Sequence, residues 1–348
     1  MHDDEYENVC SYLNEILQGA KSIVYNRVID LNYALHDAAE AGDDERVEDL
    51  LSCGADPNKP DNESDGAVPL QIAAEQGHEY VVECLLLHGA KVNHEDSRRQ
   101  NALHSAISHF NRNNGMLETI QTLLDHGADP NLDDIENRTA LHALAYQWPE
   151  LIHRTENPLT PSSVLDTATR NFPITSQIAL NRSPTPPEFS RRGEVARTLL
   201  AYGASPESVD FYGYTPLHAA ATYGNNDVLS VLLGHVGPGF NLQHVETISR
   251  NTPLHPAADN NFPETVHLLL QAGANVNEQS VYGTALHMAA ERGYEAVVNV
   301  LLQFNPNIDT MRISDNATAS EAARQRGHNH IVAILKKYKK SMKNRGKW

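Results

Sequence analysis

Apolar residues along this chain come in paired clusters at a long, regular interval. The first cluster of each pair is a short run of the form P/A-L-H-x-A: ALHDAA (34–39), PLQIAA (69–74), ALHSAI (102–107), ALHALA (140–145), PLHAAA (216–221), PLHPAA (253–258), ALHMAA (285–290), and a worn last copy, ASEAAR (319–324). The second cluster is rich in leucine and mostly ends in Gly-Ala: EDLLSCGADPN, ECLLLHGAKVN, QTLLDHGADPN, RTLLAYGASPE, SVLLGHVGPGF, HLLLQAGANVN and NVLLQFNPNID. Each pair predicts two short helices. Threonine before P/A-L-H (Thr139, Thr215, Thr252, Thr284, Thr318) is an N-cap, and proline after it suits the first helical position. Paired alanines allow close helix approach, the leucine pairs form the core face of the second helix, and Gly54, Gly89, Gly127, Gly203 and Gly273 end it. One such unit cannot bury its own core, so the units must stack.

The position before P/A-L-H advances in steps of 35, 33, 38, 76, 37, 32 and 34 residues. This interval and the T-P-L-H-x-A signature resemble the ankyrin repeat, over roughly residues 31–338. The resemblance implies an all-α solenoid of about eight helix–turn–helix units joined by hairpin fingers. The units are expected at 31–63, 64–96, 97–134, 135–210, 211–247, 248–280, 281–313 and 314–340. A capping helical segment is expected over 1–30, and a basic tail over 341–348. The resemblance also implies that the motif histidines His36, His104, His142, His218, His255 and His287 bond to turns between repeats. It places His78 and His328 in helix–helix turns, and His88, His126 and His235 at the end of second helices.

The 76-residue step marks an interruption. Between Trp148 and Gly193 lie seven of the 18 prolines, and the alignment puts an insertion at 149–190, inside the fourth repeat. It enters after TALHALAYQW and leaves before RGEVARTLLAYGA. A smaller excess, in SHFNRNNGM, falls at the same helix–helix turn of the third repeat, so the two insertions are expected on one edge, opposite the fingers. Proline richness and few sustained apolar faces argue for a long loop, either a docking strap or slack, rather than a domain. Thr160, Ser183 and Thr185 precede prolines in it and have the minimal form of proline-directed phosphorylation sites.

Charge narrows the partner class. The net charge is −18, but nine Lys or Arg and no acid lie from Arg324 onward, leaving 18 bases against 45 acids before it, a balance of −27. Such a body repels phosphate backbones, which argues against nucleic acid and for a protein partner carrying a basic segment. The tail KKYKKSMKNRGKW reads as a solvated extension of the last helix, its lysines favoured by the helix dipole; nuclear import or an anionic-membrane patch is the alternative. Three widely spaced cysteines (Cys10, Cys53, Cys84) argue against a disulfide framework and for a reducing compartment. With no signal peptide and no membrane span in view, a cytoplasmic monomer is expected, with the nucleus as the alternative.

No nucleophile elbow, P-loop, HExxH or paired CxxC appears, and no cofactor is expected. Cys53, His88 and His126 form a ladder at equivalent positions, but stacked helices stand too far apart for four ligands to meet one zinc ion. The resemblance puts the partner in the concave groove of fingers and first helices. Candidate contacts there are Asp96, Arg98, Asp133, Asp134, Glu136, Phe211, Tyr212, Tyr214 and Tyr282, an aromatic group rimmed by acids, against the alternative of solvated turn residues. Arg99 and Arg250 stand where fingers carry glycine, so their turns are expected to differ or loosen, and Pro256 removes a donor from a first helix. Asn58, Asn93, Asn131 and Asn277 occupy a position that an oxygen-sensing dioxygenase hydroxylates in animal members of the family; the alternative is a structural role. The reading is a non-catalytic scaffold or adaptor. A substrate receptor of a ubiquitin ligase, a nuclear regulatory cofactor and an enzyme with a catalytic insert are the rivals.

Overall fold

Among the described residues eight helix pairs follow one another in chain order, and each first helix packs on the first helices of its neighbours. The computed structural model describes residues 31–61, 65–109, 116–146, 191–235 and 242–345. The first helices are α1 (Leu31–Ala41), α3 (Pro69–Gln76), α5 (Ala102–Ser108), α7 (Ala140–Tyr146), α9 (Pro216–Tyr223), α11 (Leu254–Asp259), α13 (Ala285–Arg292) and α15 (Ala319–Gln325). Their partners are α2 (Asp44–Ser52), α4 (Glu79–Leu87), α6 (Met116–Asp125), α8 (Arg191–Ala201), α10 (Asn226–His235), α12 (Pro263–Gln271), α14 (Glu295–Gln303) and α16 (Asn329–Arg345). Among the described residues there is no strand, only the isolated bridges Ser280–Gly283 and Met311–Thr318.

One continuous apolar core runs between the two helix layers. Leu35, Leu70, Leu103, Leu141, Leu217, Leu254 and Leu286 fill it from the first helices, and Val47, Val82, Ile120, Leu199, Leu229, Val266 and Val298 from the second. The alanine pairs lie buried between adjacent first helices, as close approach requires. α7 ends at Tyr146 and α8 begins at Arg191, and α8 packs against α6, α7 and α10. The helical stack therefore closes across the long insertion. The phosphorylation candidates Thr160, Ser183 and Thr185 lie outside the described residues, as do the proposed cap over 1–30 and the smaller excess at 110–115.

The motif histidine ties each repeat to the next. His218 Nδ1 accepts from the backbone N–H of Thr215 and faces its hydroxyl at 2.9 Å, while Nε2 lies 3.1 Å from the carbonyl of Asn251 in the next finger. His142, His255 and His287 repeat the arrangement, reaching the carbonyls of Tyr214, Glu278 and Ala317. A ring that accepts on Nδ1 donates on Nε2 and is neutral. Gln71 replaces the histidine in the second repeat with an amide that does both jobs, accepting from Val68 N–H at 3.1 Å and donating to Gln100 O at 2.7 Å. His36 departs from the pattern: its Nδ1 donates to the carbonyl of Asn32 at 2.7 Å, and its buried Nε2 has no partner among the described residues.

Two expectations about departures resolve differently. Pro256 does remove a bond: its counterparts Ala143, Ala219 and Ala322 donate to the N-cap carbonyl, and in α11 only His255 N–H reaches Thr252 O. The helix accordingly starts one residue late, at Leu254. The expectation of altered finger turns is corrected. Arg99 (φ 58°) and Arg250 (φ 57°) adopt the left-handed conformation of Gly213 and Gly283, so the turn is kept and the side chain bears the strain. Among the described residues Cys84 is a free thiol, and burial pushes its pKa up.

Candidate protein-binding edge

Five consecutive fingers are each closed by one side chain at the base. Asp96 accepts from the N–H groups of Arg98 (2.8 Å) and Gln100 (2.9 Å), Asp134 from Glu136 (2.9 Å) and Arg138 (3.0 Å), and Asp210 from Tyr212 (2.9 Å) and Tyr214 (2.8 Å). The fifth finger is one residue longer, and the longer Glu246 spans it, accepting from Ile248, Ser249 and Asn251. Ser280 performs the role in the next finger. Asp96, Asp134, Asp210 and Glu246 are thus turn-forming acceptors, the three aspartates as Asx turns require.

This places the sequence candidates in two groups. Asp134 is only 2% exposed and also binds the Arg138 guanidinium at 2.7 Å, which holds its carboxyl below the usual range against the cost of burial. It shapes its finger and offers no free charge, which corrects its assignment to the docking rim. Tyr214 turns inward, ring edge against His218, and burial pushes its phenol up. Asp133 pairs with Arg99 at 2.5 Å, Arg98 with Asp65 at 2.8 Å, and Glu136 with Arg138 at 3.3 Å. Phe211 and Tyr282 remain presented, at 68% and 48% exposure, with Tyr212 half-buried and edge-on to Phe211.

The structure adds residues that the motif reading missed. Ile135 and Ile248, both 57% exposed, and Val281, also exposed, stand on the same edge. Consecutive fingers are joined there by one backbone bond each: Ile135 N–H to Arg98 O, Phe211 N–H to Glu136 O, Thr247 N–H to Tyr212 O, and Val281 N–H to Ser249 O. The exposed apolar side chains belong to these joining residues or their neighbours, and Met311 and Ile313 continue the row in the last finger. The signal was present in the sequence: Ile135, Phe211 and Val281 each directly follow the turn acceptor of their finger. In the earlier finger that position is Ser97, so the apolar row belongs to the later repeats.

The four asparagine candidates also sit between repeats. Asn58 donates to Gly89 O at 3.0 Å and accepts from Lys91 N–H at 2.8 Å; Asn93 makes the same pair with Gly127 and Asp129, and Asn131 with Gly203 and Ser205. Asn277 accepts from Asn307 N–H at 2.7 Å. A cleft of about 200 Å³ lined by Gln100, His104, Ser108, Asp134, Arg138 and Tyr146 lies where the third and fourth repeats meet. Its polar groups are bonded within the fold: His104 meets Asn101 and Arg138 O, Arg138 binds Asp134, and Tyr146 donates to Asp210 at 2.5 Å. Among the described residues no group of three His, Cys, Asp or Glu is placed to hold a metal ion, and no helix is long and apolar enough to cross a membrane.

Comparison with known proteins agrees with the geometry. Human B-cell lymphoma 3 protein is 35% identical over 83 residues, which is 24% of this chain and 18% of that protein. NF-kappa-B inhibitor alpha of Sus scrofa is 35% identical over 97 residues, 26% of this chain and 30% of that protein. The putative palmitoyltransferase ZDHHC13 of Danio rerio is 26% identical over 144 residues, 32% of this chain and 22% of that protein. The chain thus spans less than a third of the length of each of these relatives. The family model described as "Ankyrin repeats (3 copies)" matches at residues 35–134, 188–280 and 254–346, and the chain belongs to the ankyrin-repeat family.

Proposed function

We propose that this protein is a non-catalytic scaffold or adaptor that binds a partner protein along the finger edge of its later repeats. The observation that carries the reading is the row of exposed apolar side chains, Ile135, Phe211, Ile248, Val281 and Tyr282, on fingers joined backbone to backbone. Scattered exposed apolar residues need no explanation, but a row of them held on rigid neighbouring turns is a binding surface in form. The net charge of −18 favours the approach of basic partners at long range. At contact range, though, the acids Asp96, Asp134 and Asp210 are spent inside the fingers, so apolar contact is the main term there. Ankyrin repeats generally mediate protein–protein interaction, and one relative is named as an inhibitor of another protein, NF-kappa-B; both fit a binding role.

The test is proximity labelling in cells of the source organism with the wild type and a Phe211→Ala/Ile248→Ala/Tyr282→Ala variant. Proteins labelled by the wild type are expected to be lost from the variant while its circular dichroism stays unchanged. An identical set of labelled proteins for both would overturn this placement.

A further inference from the structure

The arginines of the fingers are neutralised, with one exception. Arg98 meets Asp65, Arg99 meets Asp133, Arg138 meets Asp134 and Glu136, and Arg312 meets Asp315 and Glu291. Arg250 is exposed and, among the described residues, has no acid at ion-pair distance. It also stands at the left-handed position of its finger, with φ 57°, where Gly213 and Gly283 serve the neighbouring fingers. A bulky residue there carries strain that glycine does not, and strain kept with no ion pair among the described residues to offset it points to a role outside the fold. Its surroundings give the role its chemistry. Ile248 lies two residues before it, Val281 N–H bonds to Ser249 O beside it, and Phe211 and Tyr282 stand on the fingers to either side.

Resting on the docking reading above, we propose that Arg250 is the anion-recognising element of this edge. It receives a carboxylate, an Asp or Glu side chain, in a partner segment that places bulky apolar residues on both sides of that acid. The guanidinium is the group best fitted to hold a carboxylate through two parallel bonds. Apolar side chains on its own finger and on the fingers to either side exclude water once a partner covers the edge, which strengthens a charge-assisted bond there. The expected recognition element is therefore apolar–acid–apolar, although the body as a whole is acidic.

The test is selection from a phage-displayed random-peptide library on the full chain, with Arg250→Gly, Arg250→Glu and Phe211→Ala/Tyr282→Ala compared after circular dichroism confirms folding. Glycine is native to this turn in neighbouring fingers, so Arg250→Gly keeps the fold. Peptides enriched on the wild type are expected to carry Asp or Glu between bulky apolar residues. They should weaken about tenfold or more on Arg250→Gly, and Arg250→Glu should select Lys or Arg where the acid stood. Peptides that need Phe211 and Tyr282 but carry no acid, and bind Arg250→Gly unchanged, would overturn the proposal and leave the docking reading standing. Enrichment indifferent to Phe211→Ala/Tyr282→Ala, or no enrichment, would overturn both.

Discussion

The buried histidines make stability depend on acidity. Burial pushes His218 down to about 3 and His255 to about 4, from an ordinary value of 6.5, and it lowers His104, His142 and His287 as well. Nδ1 of His218 and His255 accepts a backbone N–H, so a second ring proton would break that bond. Above pH 6.5 folded and unfolded chains both hold these rings neutral and the stabilisation is complete. Below it the unfolded chain takes up protons that the folded one refuses, so each ring removes up to about 1.4 kcal/mol per pH unit until its folded value is reached. Thermal melts between pH 7.5 and 4 should therefore show a falling midpoint; a flat profile would contradict the neutral-ring assignment. At the strained turns the sign is opposite. Arg250→Gly should raise stability by about 0.5–1 kcal/mol, the left-handed strain relieved less the extra freedom of an unfolded glycine. Arg99→Gly should gain less, because it gives up the pair with Asp133. Urea midpoints of the two variants decide.

Helices were legible because their signals are local, and the fingers were legible only in part. Threonine caps, alanine pairs and leucine pairs fix helix ends and faces within one repeat, so the pattern alone located them. The finger acids were read as surface charge because nothing in their own residue type says which way a carboxylate turns. That depends on whether two backbone N–H groups converge on it, which only the folded turn decides. Pro256→Ala tests the local kind of signal: it restores the donor facing Thr252 O and should add about 1 kcal/mol in urea unfolding. The insertion tests a longer connection. α3 and α4 are linked by Gly77 and His78 alone, and α9 and α10 by Gly224 and Asn225. Replacing 148–189 with a comparably short turn should keep a single cooperative transition, with loop-closure entropy favouring the shorter chain by about 2 kcal/mol. A non-cooperative melt would place the segment in the core.

Across the whole molecule, stacking gives each repeat only its neighbours, so any weak junction would divide the solenoid. The junction spanned by the insertion is not bare. His142 reaches Tyr214 O at 2.9 Å, Tyr146 binds Asp210, Asn131 ties to Gly203 and Ser205, and Asn225 reaches Leu144 O at 3.3 Å. Amides of α3 and α5 on one side and α9 and α13 on the other should therefore exchange with solvent at one common free energy; two separate values would mean that the halves open independently. The same connection has a bearing on how such a chain changes over generations. Phe211 N–H meets Glu136 O as directly as Ile135 N–H meets Arg98 O, although the first bond joins chain on either side of the added segment and the second does not. New sequence admitted at a helix–helix turn is geometrically silent at the fingers. The outer edge can lengthen, shorten or acquire new signals by mutation while the binding edge keeps its register.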